Sequence, residues 1–316
     1  MNTTSTTMTA QRCWLIVSVL GLTLVGPMAQ SASAEAARES RAVVLQTFQA
    51  GQFALDLVIA QCRRSQCPIE VRLWAGRRLV DRVTLPVAAS SQRVRAEIVD
   101  TVWGTDTGRK AWGSGEENHY VSTAARLVRL TPRRKALLVG QHYGFEHLKR
   151  NHLVILPRAG KLTVAWKAEE GAGPTWSATQ IIRGQRGGRH EVVYLHGFFD
   201  PGEEDAADRL DVARLRWDEA LGRLRETVLP ARNEPLYLLD LGTHDTAAQA
   251  RQARSANLCL SPYWVLDASR FRAGAAGKAI IGMLFASRDL AENAASDARR
   301  CLPATTVSVV TWTAAP

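Results

Sequence analysis

The sequence predicts a multi-domain chain, with an all-β part over residues 42–231 and a smaller α+β part over 232–316. Three observations carry this. Between 42 and 231, apolar residues alternate with polar ones or run unbroken over strand lengths, separated by Gly- and Pro-bearing turns. From 236 onward the order becomes strand, Ala-rich helix, strand, strand, Ala-rich helix, strand, in two halves that look alike. Finally, 316 residues suffice for two ordinary domains, each burying its own core. The balance of 46 % hydrophobic and 22 % charged residues excludes a disordered or collagen-like chain.

Residues 1–34 read as a secretory signal peptide. Arg12 is the lone charge ahead of an apolar run from Cys13 to Val25, and AQSASA at 29–34 offers an Ala-x-Ala site with cleavage after Ala34. The run is shorter than the roughly 20 residues a membrane span needs; an uncleaved anchor is the competing reading. Cys13 follows Gln-Arg, unlike a lipoprotein box, and no later segment is apolar and long enough to cross a bilayer. The mature chain is therefore expected to be soluble and periplasmic or secreted, without a stable membrane span. The cysteines agree. Removing Cys13 leaves four of five, an even number suited to pairing in an oxidising compartment. A bridge from Cys62 to Cys67 would staple a hairpin turn, while Cys259 and Cys301 close equivalent helices and are expected to pair. Zinc is the alternative, but Cys-x4-Cys is wider than usual for zinc and no Cys or His pair completes it nearby. No metal or cofactor is expected.

The strand-like runs of the β part are 53–60, 69–74, 79–85, 94–99, 126–130, 136–140, 152–156, 162–166, 178–182, 191–195, 210–217 and 224–228. Turn signals such as 75–77 (AGR), 158–160 (RAG), 170–174 (EGAGP) and 186–188 (RGG) separate them. Such spacing argues a sandwich or a few propeller-like blades. Three places in this part have the residue types for chemistry. His142, His147 and His152, with Glu146 among them, have metal-ligating side chains, but their five-residue spacing does not set two His on one helix face, and a connecting loop is expected. The acidic stretch 200–211 suits Ca²⁺ by its carboxylates but lacks the EF-hand pattern, so a solvated loop is expected. Trp103, Trp112 and Tyr120 on the Gly-rich stretch 101–120 form a candidate sugar-binding loop, since aromatic faces stack on pyranose rings. The bland reading is a hairpin loop whose Trp residues fold back as local core.

No nucleophile elbow, phosphate-binding Gly-Lys-Ser/Thr loop or dinucleotide fingerprint is present. The chain is expected not to be an enzyme, with a secreted hydrolase as the lesser alternative. A net charge of +10 implies attraction to anionic groups, those of nucleic acid, teichoic or lipid head groups, or peptidoglycan carboxylates. A nucleic-acid partner is not expected. The Arg residues are spread over many strands, so a general compositional preference for Arg is the plainer explanation.

The C-terminal part begins after a linker at 231–235. Its first half is LYLLDLGTH at 236–244 and an Ala-rich run from Asp245 to near Cys259; its second is AIIGMLFAS at 279–287 and a run from Arg288 to Cys301. Each helix is expected to carry an Asp in its first turn, Asp245 and Asp289, where a carboxylate suits the exposed N–H groups and the positive dipole end. With the β-rich runs 262–267 and 306–312, this predicts a βαββαβ unit forming a four-stranded antiparallel sheet with two helices on one face.

At Asp240-Leu-Gly242-Thr-His244 with Ala250, and again at Met283-Leu-Phe285-Ala-Ser287 with Ala294, the chain resembles the sporulation-related repeat (SPOR) family of peptidoglycan-binding domains. The resemblance covers about a quarter of the chain. It departs from the family where Asp240 replaces a usual Gln, His244 a usual aromatic and Met283-Leu284 a usual Gly-Pro, and Ile281 stands where a basic residue is common. It implies that glycan strands lie on the sheet face away from the helices. The implied glycan-binding residues are Asp240, Gly242, His244, Trp264 and Phe285, with Trp264 and Phe285 stacking on sugar rings and Asp240 and His244 hydrogen-bonding them. Core packing is the competing role, most of all for Phe285. The resemblance thus implies an exported, non-catalytic envelope protein whose SPOR-like C-terminal domain binds peptidoglycan. The alternative is an envelope protein-interaction or structural module in which the β part carries ligand or partner binding and the SPOR-like fold has lost glycan binding.

Overall fold

The computed structural model describes residues 42–98, 110–114, 121–143, 149–170, 175–183, 189–198, 210–230, 235–260, 263–271, 275–303 and 308–312. Three antiparallel meanders follow one another along the chain. The first sheet holds β1 (Val43–Ala50), β2 (Phe53–Ile59), β3 (Ile69–Ala75) and β4 (Arg78–Thr84) in chain order. The second holds β5 (Val94–Ile98), β6 (Lys110–Ser114), β7 (Val121–Thr131), β8 (Arg134–Tyr143), β9 (Lys149–Arg158) and β10 (Lys161–Glu170). The third holds β11 (Thr175–Arg183), β12 (His190–Phe198), β13 (Leu210–Asp218) and β14 (Arg223–Pro230). Tight turns set these registers. Arg158 pairs with Lys161, leaving Ala159 and Gly160 in the turn with φ of +48° and +75°. Two left-handed residues give the twist that matches a right-twisted hairpin.

Each strand-like run of residues 42–231 coincides with one of these strands, three of them (53–60, 79–85 and 94–99) reaching one residue beyond the strand end. β1 and β6 were not foreseen. A register shift between Val44 and Gln46 breaks the alternation of β1, and β6 (KAWGS) has only two large side chains in a Gly-rich stretch.

The sheets pack face to face. Leu55, Leu57, Ile59, Ile69, Val71 and Leu73 of the first sheet meet Leu137, Val139, Leu153 and Ile155 of the second. The opposite face of the second, with Ala136, Leu138, Val154 and Leu156, meets Val192 and Leu215 of the third. Successive side chains of β8 thus enter different cores, so 136–139 reads as an unbroken apolar run rather than an alternating one. Each fully buried Leu, Ile or Val contributes about 1.5–3 kcal/mol relative to exposure.

The fourth sheet contains β15 (Leu236–His244), β16 (Trp264–Asp267), β17 (Ala279–Phe285) and β18 (Ser308–Trp312) in the order β16-β17-β15-β18, all antiparallel. Helices α1 (Ala247–Ala256) and α2 (Arg288–Cys301) cover one face. There, Ala250, Leu290, Ala291, Ala295 and Ala298 pack on Leu239, Leu241, Ile281, Met283 and Phe285. The cap of α1 is Thr246, in a capping box with Gln249, so Asp245 precedes the helix instead of lying in its first turn. α2 is capped by Ser287 and does hold Asp289 in its first turn.

The other face of this sheet is also covered. Leu236, Leu238, Leu266, Ile280 and Leu284 form one core with Val193, Leu195, Leu210 and Val212 of the third sheet. Apolar packing therefore runs across the boundary that the sequence places at 231–232, and the described residues belong to one unit, Arg41–Pro316. Cys62 pairs with Cys67 across the β2–β3 turn, and Cys259 with Cys301. Among the described residues no helix is long and apolar enough to cross a membrane. Residues 1–34 lie outside the described residues.

Candidate functional site

The five residues implied by the family resemblance do not share one surface. Asp240 is 5 % exposed, and its Oδ1 accepts the Gly242 N–H at 2.9 Å across a bulge in β15. The bulge sets Gly242 at φ +156°, and His244 follows it, half-buried, with its Nε2 beside the Gly242 backbone. Trp264 sits on the edge strand β16, half-buried between the two cores that flank the sheet. Phe285 is fully buried on the helix side. Its ring is sequestered under α1 and α2 on the opposite face from the one the resemblance assigns to glycan. Alternation puts it there, because Leu284 points into the core shared with the third sheet and its neighbour must point the other way.

The candidate sugar-binding loop is altered in the same way. Trp112 lies in β6, half-buried against the core between the first two sheets, and is not an exposed loop aromatic. Trp103 and Tyr120 lie outside the described residues. So do His147, Glu146 and the stretch 200–209.

His142 and His152 are in β8 and β9, not in a connecting loop, and their rings meet edge-on at 6.2 Å. His152 also lies 5.5 Å from Tyr194 of β12, which in turn touches Trp166 at 5.4 Å and His196 at 6.1 Å. These rings form a polar seam between the second and third sheets. Among the described residues, no group of three or more His, Cys, Asp and Glu is arranged to hold a metal ion.

The feature that sequence reasoning missed is a cleft of about 750 Å³ at the hairpin ends of the first three sheets. Three turns bring its cations together. In the β7–β8 turn Pro132 presets the backbone, and Thr131 Oγ1 accepts the N–H groups of Arg133 and Arg134 at 3.3 and 3.1 Å. This holds Arg133, Arg134 and Lys135 in sequence on the rim. Lys135 Nζ donates to the Gln49 carbonyl of β1 at 3.1 Å. The Arg134 guanidinium lies 4.5 Å over the Trp217 ring of β13, a cation–π contact that restrains its position. Arg158 comes from the β9–β10 turn, and Arg223 from the β13–β14 turn, which Asp218 orders by accepting the Leu221 N–H at 3.0 Å.

Among the described residues, five cations line the cleft, no Asp or Glu does, and none of the five makes an ion pair. Arg stays charged at any relevant pH. Phe53, Leu156, Leu224 and Trp217 supply apolar wall. A concave site with like charges and apolar walls concentrates anions. The sequence signal was the run PRRK at 132–135 between two apolar runs, a basic hairpin turn.

The chain matches no family model, no curated protein and no solved structure.

Proposed function

We propose that the chain is an exported, non-catalytic envelope protein whose β region carries ligand binding through the basic cleft. In this reading the C-terminal βαββαβ unit is a SPOR-like fold that serves as a buttress and has lost glycan binding. One observation carries it: the sheet face that would hold glycan is occupied by Val193, Leu195, Leu210 and Val212, while five cations without ion pairs among the described residues converge on a cleft elsewhere. Supporting observations are the two cysteine pairs, which suit an oxidising compartment, and the departures at Asp240, His244 and Met283 from the family's usual residues. Peptidoglycan then remains a partner only through its anionic groups, and an envelope protein is the other partner class.

Co-sedimentation with purified sacculi at about 0.3 M salt, where a Debye length of roughly 6 Å weakens diffuse attraction, separates the readings. The expected result is that stripping stem peptides with an amidase does not increase retention. Retention that rises after stripping and falls in Trp264→Ala would instead support glycan binding by the C-terminal unit.

A further inference from the structure

We propose that the cleft at the hairpin ends binds a compact sugar or polyol carrying two or more phosphate groups. The inference rests on the reading that the β region carries ligand binding, and it names the ligand class of that site.

Charge count comes first. Arg133, Arg134, Lys135, Arg158 and Arg223 place five positive charges around one cleft, with no carboxylate among its described lining residues. A phosphomonoester carries about −1.5 to −2 at neutral pH, so two or three phosphates match the site. A carboxylate ligand would need about five charged groups in the same space to do so. Donor type comes second. Four of the five cations are guanidinium groups, whose rigid fork fits phosphate oxygens in a bidentate manner. Arg134 is already held 4.5 Å over the Trp217 ring, which lowers the entropy lost when it engages an anion. The third argument is the wall. Phe53, Leu156 and Leu224 give carbon-lined surface between the charged rims, which suits a ring or polyol skeleton better than a bare inorganic ion. About 750 Å³ falls in the ordinary range for small-ligand sites.

The test is isothermal titration calorimetry of the full chain at about 0.15 M salt, with fructose 1,6-bisphosphate as probe, citrate as the carboxylate control and phosphatidylglycerol vesicles as the lipid-headgroup arm. Saturable 1:1 binding of the bisphosphate is expected, with citrate at least tenfold weaker. Replacing two exposed rim residues, Arg133→Ala with Arg158→Ala, is expected to weaken it at least tenfold. Removing the same charge from the exposed surface of α2, Arg288→Ala with Arg300→Ala, should change it less than twofold. Thermal melts of both variants check that each is folded. If citrate equals the bisphosphate and both fall in the rim variant, the phosphate class is overturned while the cleft stands as the ligand site. If the α2 variant loses as much as the rim variant, or no soluble anion saturates, the cleft reading fails as well. Binding to vesicles alone overturns the compact ligand in favour of a membrane headgroup.

Discussion

Glu70 and Arg72 stand two apart on β3, on the face away from the first core, and both side chains are less than a tenth exposed. Arg72 Nε donates to Glu70 Oε2 at 2.9 Å, so the pair is neutralised locally. Taking one partner away leaves a buried charge uncompensated, which costs about 3–5 kcal/mol. Arg72→Ala is therefore expected to lower the unfolding free energy measured by denaturant titration by that amount, and adding Glu70→Leu should restore most of it. A loss below about 1 kcal/mol would mean that solvent reaches Glu70 once the guanidinium is gone. Gln141 illustrates the other kind of buried polar residue. Its Nε2 donates to the Val87 carbonyl at 2.9 Å and its Oε1 accepts the Val87 N–H at 3.1 Å, so one side-chain amide pairs both backbone groups of the segment after β4. Nothing in the local sequence marks this residue, because its partner is 54 positions away.

The two disulfides act on elements of very different reach. Cys62 and Cys67 are five apart and close a turn whose centre, Arg64 and Ser65, is already left-handed at φ +46° and +63°. Cys259 and Cys301 are 42 apart and tie the segment after α1 to the end of α2. Loop-closure entropy gives about 2 kcal/mol for the short loop and about 4 for the long one. Paired Cys→Ala substitutions followed by denaturant unfolding should reproduce that order, and equal losses would show that strain or residual structure outweighs the loop term. Elements were largely legible in the sequence, since strand alternation and Ala-rich helical runs depend only on neighbours a few residues apart. The exceptions have local causes. β6 has small residues where a strand pattern needs large ones, so Trp112 read as a loop aromatic. The site was much less legible. Its cations come from 133–135, 158 and 223 and become neighbours only through hairpin registers. Phe285 was misplaced because a motif fixes residue type but not which face of a doubly covered strand receives it.

At the scale of the molecule, the shared cores predict that the described part unfolds as one body. A fragment ending at 231 would expose Val193, Leu195, Leu210 and Val212 as a contiguous apolar face. It is expected to bind a hydrophobic dye and aggregate, whereas the full chain should melt in one transition; two well-separated transitions, with a soluble and dye-silent fragment, would count against the common core. The order of the sheets along the chain has a consequence for biogenesis. Each of the first three meanders is built from consecutive strands, so its hydrogen bonding needs no strand that comes later in the chain. The greasy side of the third meander stays uncovered until residues 236–284 arrive to cap it. A translation product halted earlier carries a standing signal of incompleteness, one that holdases and proteases read without any dedicated recognition sequence.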